Sequence, residues 1–161
     1  MTRGVDALQA ALRAEHAAVY GYGVLGARLR PPLRDTATQL WNAHRSARDA
    51  LASRITGLGG RPDAAAAAYR LPVRVTSART AAQLAAALED DLVTAYTGLA
   101  GVPGGALRTL GAKAMQQAIA RSVMWRANAG QGPPPAAFPG LPASALPPRP
   151  EPGEQTGEPR G

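Results

Sequence analysis

The chain has 161 residues, enough for one domain with a sizeable core, and it carries a formal net charge of +7 with no cysteine. The lack of cysteine excludes disulfides and thiolate chemistry. Early charged residues and the absence of a long apolar run predict a cytoplasmic protein without signal peptide or membrane span. The arginines are scattered rather than clustered, which argues against specific nucleic-acid binding.

The first predicted helix spans residues 5–30 and ends at a proline pair. Its apolar stripe contains Leu8, Leu12, Val19 and Tyr22. Glu15 lies in the same stripe, where a carboxylate is costly unless it is paired. A GxGxxG pattern is formed by Gly21, Gly23 and Gly26. No strand precedes it, so we interpret these glycines as sites of close packing or a kink and not as a nucleotide site.

The second predicted helix runs from Asp35, as its N-cap, to Leu58. His44 lies on its core side, with Arg48 one turn later, and we expect His44 to pair with Glu15. Residues 59–75 form a long link, in which residues 63–69 could make about two helical turns. The side chains expected to anchor this link are Tyr69, Leu71 and Val73.

The third predicted helix begins at Thr76 or Ser77 as N-cap and ends before Pro103. Glu89 borders its core row, and the two following residues, Asp90 and Asp91, are expected to face solvent. The fourth helix covers residues 105–129 and has Arg121 in its core row, where it could offset Glu89. The bundle is therefore predicted to comprise residues 1–129.

A repeat relates the two halves of this bundle. With a shift of 74 positions, residues 81–101 are identical to residues 7–27 at seven of 21 positions, and each stretch has a glutamate followed seven residues later by a tyrosine. The pairs are Glu15 with Tyr22 and Glu89 with Tyr96. We therefore predict an all-α fold made of two helix hairpins, in which the two glutamates face each other across a pseudo-twofold axis.

The tail, residues 130–161, is rich in proline and glycine and has no helical period. We expect most of it to be disordered. Phe138 and Leu141 are the exception, because their apolar side chains could dock residues 138–141 on the bundle.

The duplicated, glutamate-bearing helix pair resembles the ferritin-like superfamily. The segments AEHAAVYGYGVLGARL, AHRSARDAL, LEDDLVTAY and AFPGL are similar to an actinobacterial ferritin-like domain family of unknown function. This resemblance implies a ferritin-like four-helix bundle with a long connection between its halves. It implies no particular activity.

A ferritin-like di-metal site takes one Glu from each of two helices and a Glu-x-x-His from each of the other two. Glu15 and Glu89 match the single glutamates, and His44 matches one histidine. Trp41 stands where the accompanying glutamate belongs, and the fourth helix has no Glu, Asp or His. The resemblance thus implies a degenerate site.

Besides a basic nucleic-acid-associated protein, which the scattered arginines disfavour, two main interpretations remain open. In the first, the chain is a structural or interaction protein without enzymatic activity or cofactor, and it forms a homodimer or binds a protein partner. Its interior then holds a polar network of Glu15, His44, Arg48, Glu89, Arg121, Tyr22 and Tyr96. In the second, it is a metal-binding oxidoreductase or storage protein whose iron or manganese is held by Glu15, His44 and Glu89.

Overall fold

The structure is a computed structural model of the chain, and it describes residues 2–132. These residues form four α-helices, one 3-10 turn (Gly26–Arg28) and no strand, which confirms the predicted all-α class. The helices are α1 (Thr2–Leu25), α2 (Leu33–Gly57), α3 (Ala78–Ala100) and α4 (Gly105–Asn128). The predictions for Phe138 and Leu141 fall outside the described residues.

The starts of α3 and α2 differ in how they are capped. Ser77 is the N-cap of α3, and its hydroxyl accepts the Thr80 backbone N–H at 3.2 Å, as the sequence predicted. The predicted N-cap of α2, Asp35, was wrong by three residues, because the N-cap is Pro32. This helix begins at Leu33, directly after Pro32, and Asp35 lies within its first turn. Proline is tolerated at such a position because the first helical N–H groups have no intrahelical partner.

The contacts between helices define their directions. His44 of α2 meets Glu15 of α1, and Trp41 meets Val19, so α1 and α2 are antiparallel. The contacts between Tyr22 and Glu89 and between Tyr96 and Glu15 make α3 antiparallel to α1. By the same reasoning, the contacts of Ser122 with Asp90 and of Met115 with Thr97 make α4 antiparallel to α3. The helices therefore run up, down, down and up.

The link between α2 and α3 must return along the length of the molecule, and α1 supplies its anchors. Gln9 accepts the Asp63 backbone N–H and donates to the Arg61 carbonyl, while Arg13 pairs with the Asp63 carboxylate at 2.6 Å. One ring nitrogen of His16 lies 3.0 Å from the Asp63 carbonyl oxygen. The predicted helical turns at 63–69 are absent from this described link, because its polar groups bond to α1 instead.

The link also contributes apolar contacts, as predicted. Tyr69 packs its ring against that of Tyr20, with ring centroids 5.4 Å apart. Leu71, Val73 and Val75 alternate with exposed residues and pack against the core. The link therefore packs as a layer over the helices.

Two glycines permit close helix approach. A Cβ at Gly21 would lie 2.4 Å from Leu88 Cδ1, where α1 crosses α3. A Cβ at Gly111 would lie 2.4 Å from the Ala100 backbone nitrogen and 2.8 Å from the Leu99 carbonyl carbon, so α4 contacts the α3 backbone directly. The interpretation of Gly21 as a close-packing residue is confirmed.

The core draws buried side chains from all four helices, including Leu12, Leu51, Leu92 and Trp125. Helix α1 packs on α2 and α3, and α3 packs most extensively on α4. Helices α2 and α4 do not pack closely on each other, in contrast to these pairs. Among the described residues, no helix combines the length and apolarity needed to cross a membrane.

Candidate functional site: a histidine between two buried carboxylates

His44 lies at the centre of the molecule between two carboxylates. Its Nδ1 is 2.8 Å from Glu15 Oε2, and its Nε2 is 3.1 Å from Glu89 Oε1. The exposed fractions are 1% for His44, 2% for Glu15 and 0% for Glu89, so water does not screen these charges. Both ring nitrogens therefore face an acceptor, an arrangement that requires an N–H on each of them.

Two tyrosines complete the arrangement crosswise between α1 and α3. Tyr22 of α1 donates to Glu89 Oε1 at 2.6 Å, and Tyr96 of α3 donates to Glu15 Oε1. Trp125 of α4 donates through Nε1 to the Tyr22 hydroxyl at 2.8 Å. We call Glu15, His44, Glu89, Tyr22 and Tyr96 the polar cluster. Its crossed pairs reproduce the 74-residue repeat, because each tyrosine bonds to the glutamate of the other half.

The carboxylates hold His44 in its charged form. Burial by itself would lower the pKa of His44, but the hydrogen bonds and negative charges of Glu15 and Glu89 outweigh it and raise that pKa to about 9. The pKa of Tyr22 and that of Tyr96 are both raised, first by burial and then by the adjacent carboxylate. The tyrosines therefore remain neutral donors, and His44 is an imidazolium at neutral pH.

The two glutamates are not equivalent in their bonding. Glu15 accepts one bond on each oxygen, whereas Glu89 accepts both of its bonds on Oε1. Glu89 Oε2 is buried and has no partner among the described residues. A buried oxygen without a partner costs free energy, so the Glu89 carboxylate is less well satisfied than that of Glu15.

Two arginines predicted for the network lie elsewhere. Arg48 pairs with the neighbouring Asp49 at 2.8 Å instead of reaching His44. Arg121 is half-buried, and its charge partly offsets the raised pKa of Tyr96, but it forms no ion pair with Glu89 among the described residues. Its side chain instead lines a cavity between α2 and α4.

Asp90, which we expected to face solvent, is part-buried and bonded to α4. It accepts the Ser122 hydroxyl at 2.5 Å and pairs with Arg126. Sequence periodicity missed this contact, although the position of Asp90 next to the core row of α3 was a usable signal. Asp91 is exposed, as expected. Its pKa is raised by partial burial and by the charge of Asp90.

The cavity next to the polar cluster has a volume of about 380 Å³. Its walls are α2 and α4, and its floor is formed by Glu15 of α1 and by Leu92 and Tyr96 of α3. We call this space the cleft. It gives a small molecule access to one side of the polar cluster.

The residues present do not fit a ferritin-like di-metal centre. A histidine ligand needs a free lone pair, but both nitrogens of His44 are engaged by carboxylates. Helix α4 adds no acidic residue or histidine. Within residues 2–132, no group of three or more His, Asp or Glu side chains is placed to hold a metal ion.

The fold and the site define an all-helical protein with a buried carboxylate–histidine cluster. A family model for a domain of unknown function, DUF4439, matches residues 7–143, and the chain belongs to this family. The crystal structure of a conserved hypothetical protein, rv2844, from Mycobacterium tuberculosis is similar. It shares 30% identity with a TM-score of 0.75, over 78% of this chain and 96% of that one. No curated protein matches the sequence.

Proposed function

We propose that the chain is a ferritin-like four-helix bundle whose central cation is a protonated histidine, and that it serves as a structural or interaction protein. The up-down-down-up order with one long crossover supports the ferritin-like assignment, because that superfamily has a single crossover connection. The observation that carries the proposal is the bonding of both His44 nitrogens to carboxylates.

An imidazolium between two carboxylates supplies positive charge where a metal ion would otherwise balance them. It also leaves His44 without a lone pair for substrate, metal or proton abstraction at neutral pH. The tyrosines are equally unsuited to acid–base work because their pKa values are raised. The polar cluster is thus suited to holding helices in register, a role known for buried polar groups.

Helix α4 supports an interaction role. Val123 is 46% exposed, and it lies on one stripe with Ile119 and Met115, which are partly buried. We propose that this stripe contributes to a homodimer or to the binding of a protein partner. Light scattering of the full-length protein, compared with the variant Val123→Glu, tests the dimer.

The alternative function uses iron or manganese at Glu15, His44 and Glu89. One observation favours it, namely the buried Glu89 Oε2 without a described partner, since a carboxylate oxygen is a suitable ligand. Binding would require His44 to lose a proton and give up at least one of its two hydrogen bonds.

Elemental analysis of full-length protein from cells grown with added iron or manganese separates the two functions. We expect far less than one metal ion per chain, and the same content in Glu15→Ala and in the exposed-site control Asp49→Ala. Nitrogen-15 NMR at neutral pH should show both His44 nitrogens protonated. About one metal ion per chain, lost in Glu15→Ala and retained in Asp49→Ala, would establish the metal-binding alternative.

A further inference from the structure

The cleft runs along both of its wall helices and is mostly apolar. Its lining extends from Ala43 to Arg54 on α2 and from Leu110 to Arg121 on α4. At 1.5 Å per residue, each wall is about 16 Å long. Small or aliphatic side chains cover most of both walls, including Ala47, Leu51, Ala114 and Ala118. An extended apolar chain fits such a space, and a volume of about 380 Å³ lies within the range of small-molecule sites.

Each end of the cleft carries a guanidinium without a carboxylate partner among residues 2–132: Arg54 of α2 is exposed, whereas Arg121 of α4, at the end next to His44, is half-buried. Arg121 takes part in none of the ion pairs found among residues 2–132. Its partial burial separates it from bulk water, so an anion placed there would gain a charge-assisted, bidentate hydrogen bond. Gln117, one turn earlier on α4, also lines the cleft and offers an amide donor.

The charges around the cleft favour a single negative group. Of the lining residues, His44, Arg54 and Arg121 are positive and Glu15 is negative. Glu89 does not line the cleft, but it contacts His44 and adds a second negative charge, which leaves one net positive charge. A monoanion would balance this charge. A cation would be repelled by Arg121 at the end where the polar groups lie.

We propose that the cleft binds a monocarboxylic acid with an extended apolar body, with its carboxylate on Arg121 and its body between the alanine and leucine walls of α2 and α4. This proposal goes beyond the structural role of the polar cluster. It depends on the cleft and on Arg121, and not on whether the bundle recognises a protein partner.

The described end of the chain lies on a different face. Arg79 donates to the Ala129 carbonyl at 3.1 Å, and Gln131 borders a small pocket with Val73 and Asp90. Gln131 therefore borders a pocket other than the cleft. We take a separate molecule as the occupant because of the charges and the apolar walls of the cleft, and occupation by residues 133–161 is an outcome of the test.

Isothermal titration calorimetry of the full-length protein tests the proposal with octanoate, 1-octanol and acetate. Octanoate has both the charge and the apolar chain, whereas each of the other two has only one of them. We expect octanoate to bind at least about tenfold more tightly than 1-octanol, because a hydrogen bond to a charged group is worth about 1.5–3 kcal/mol. Acetate should bind more weakly than octanoate because it buries little apolar surface.

Variants assign the site. Arg121→Gln should weaken octanoate at least about tenfold and leave 1-octanol unchanged. Arg108→Gln, which removes the same charge from an exposed position of α4 outside the cleft, should change neither. Ala114→Leu, which fills the cleft, should weaken both.

Several results would overturn the assignment. These are absence of octanoate binding, equal affinity for octanoate and 1-octanol, or equal octanoate affinity in folded Arg121→Gln and Arg108→Gln. The comparison of octanoate with 1-octanol needs no variant, so it decides the question even if Arg121→Gln fails to fold. If a dimer contact or residues 133–161 cover the cleft and thereby block octanoate binding, that result also counts against the proposal. None of these outcomes bears on the metal content of the protein.

Discussion

Helices α1 and α3 each contribute one glutamate and one tyrosine to the polar cluster, whereas α2 contributes His44 and α4 contributes no member. The 74-residue shift that pairs Glu15 with Glu89 also pairs His44 with Ala118. Both residues are buried, but only His44 carries charge. A single imidazolium therefore serves both carboxylates, and the smaller side chain on α4 lines the cleft.

The same shift exposes a second difference between the hairpins. It pairs Ala37 of α2 with Gly111 of α4. Ala37 is buried with its methyl group in place, whereas a methyl group at Gly111 would overlap the α3 backbone. The first hairpin is thus joined through side chains and the second by direct backbone approach. The two repeated helix pairs thus share their carboxylates and tyrosines but differ in how their helices pack.

The largest effect on stability should come from replacing Gly111 of the second hairpin with alanine, which is the residue at the equivalent position, 37, of the first hairpin. Gly111→Ala places a Cβ 2.4 Å from the Ala100 nitrogen, and a backbone atom cannot turn aside as a side chain can. We expect the free energy of unfolding to fall by about 3 kcal/mol or more. Urea denaturation followed by circular dichroism measures it.

Gly98→Ala is the matched control, because Gly98 lies on the exposed face of α3 with no neighbouring atom within 4 Å of its added Cβ. This change should stabilise the protein by about 0.5–1 kcal/mol through helix propensity. A Gly111→Ala protein as stable as the unmodified chain would show that α3 and α4 can separate at little cost.

The next largest effect concerns the positive charge of His44, which has no equivalent in the second hairpin. The pKa of His44 rises from 6.5 to about 9 on folding, so the native state binds a proton that the unfolded chain has lost between these values. Its contribution to stability is complete below pH 6.5 and is lost as the pH rises through about 9. At about 1.4 kcal/mol per pKa unit, the loss is about 3 kcal/mol.

Urea denaturation at a series of pH values measures this slope. Glu15→Gln provides the control, because a neutral amide facing Nδ1 removes one of the two charges that keep His44 protonated. Its stability should vary less with pH over the same interval. Stability that stays constant or rises between pH 6.5 and 9 in the unmodified chain would contradict a protonated His44.

Sequence periodicity predicted the four helices because each has a long apolar stripe with a clear stop. It failed at residues 63–69, where local helix propensity lost to the anchors that Gln9 and Arg13 supply from α1. Such an override depends on which helix lies alongside the link. One chain's local pattern does not contain that information.

For the candidate site, the stripe pattern placed Glu15, His44 and Glu89 toward the interior, and the structure brings the three together. The pattern could not specify the partners of the arginines. Arg48 is one turn from His44, yet its long side chain reaches outward to Asp49. The rotation of each helix about its axis decides such contacts, and a few tens of degrees change the partner.

The smallest and most discriminating effect compares amide substitutions at the two glutamates. In Glu89→Gln, the amide oxygen can replace Oε1 and accept from both Tyr22 and His44, while the NH₂ group takes the place of the oxygen that has no described partner. The change also removes the excess negative charge of two carboxylates around one imidazolium. We expect the free energy of unfolding to change by less than about 0.5 kcal/mol.

In Glu15→Gln the same chemistry costs more, because Glu15 uses both oxygens. If the amide oxygen accepts from Tyr96, the NH₂ group faces His44 Nδ1, and His44 must give up a proton to accept that bond. Glu89 then remains buried without a cation, which should cost about 1–2 kcal/mol. Urea denaturation at neutral pH, with exposed Asp49→Asn as the control, gives both values. Equal losses at the two glutamates would mean that Glu89 Oε2 has a partner of its own, such as a bound water or cation, and that the two halves are more alike than their described contacts indicate.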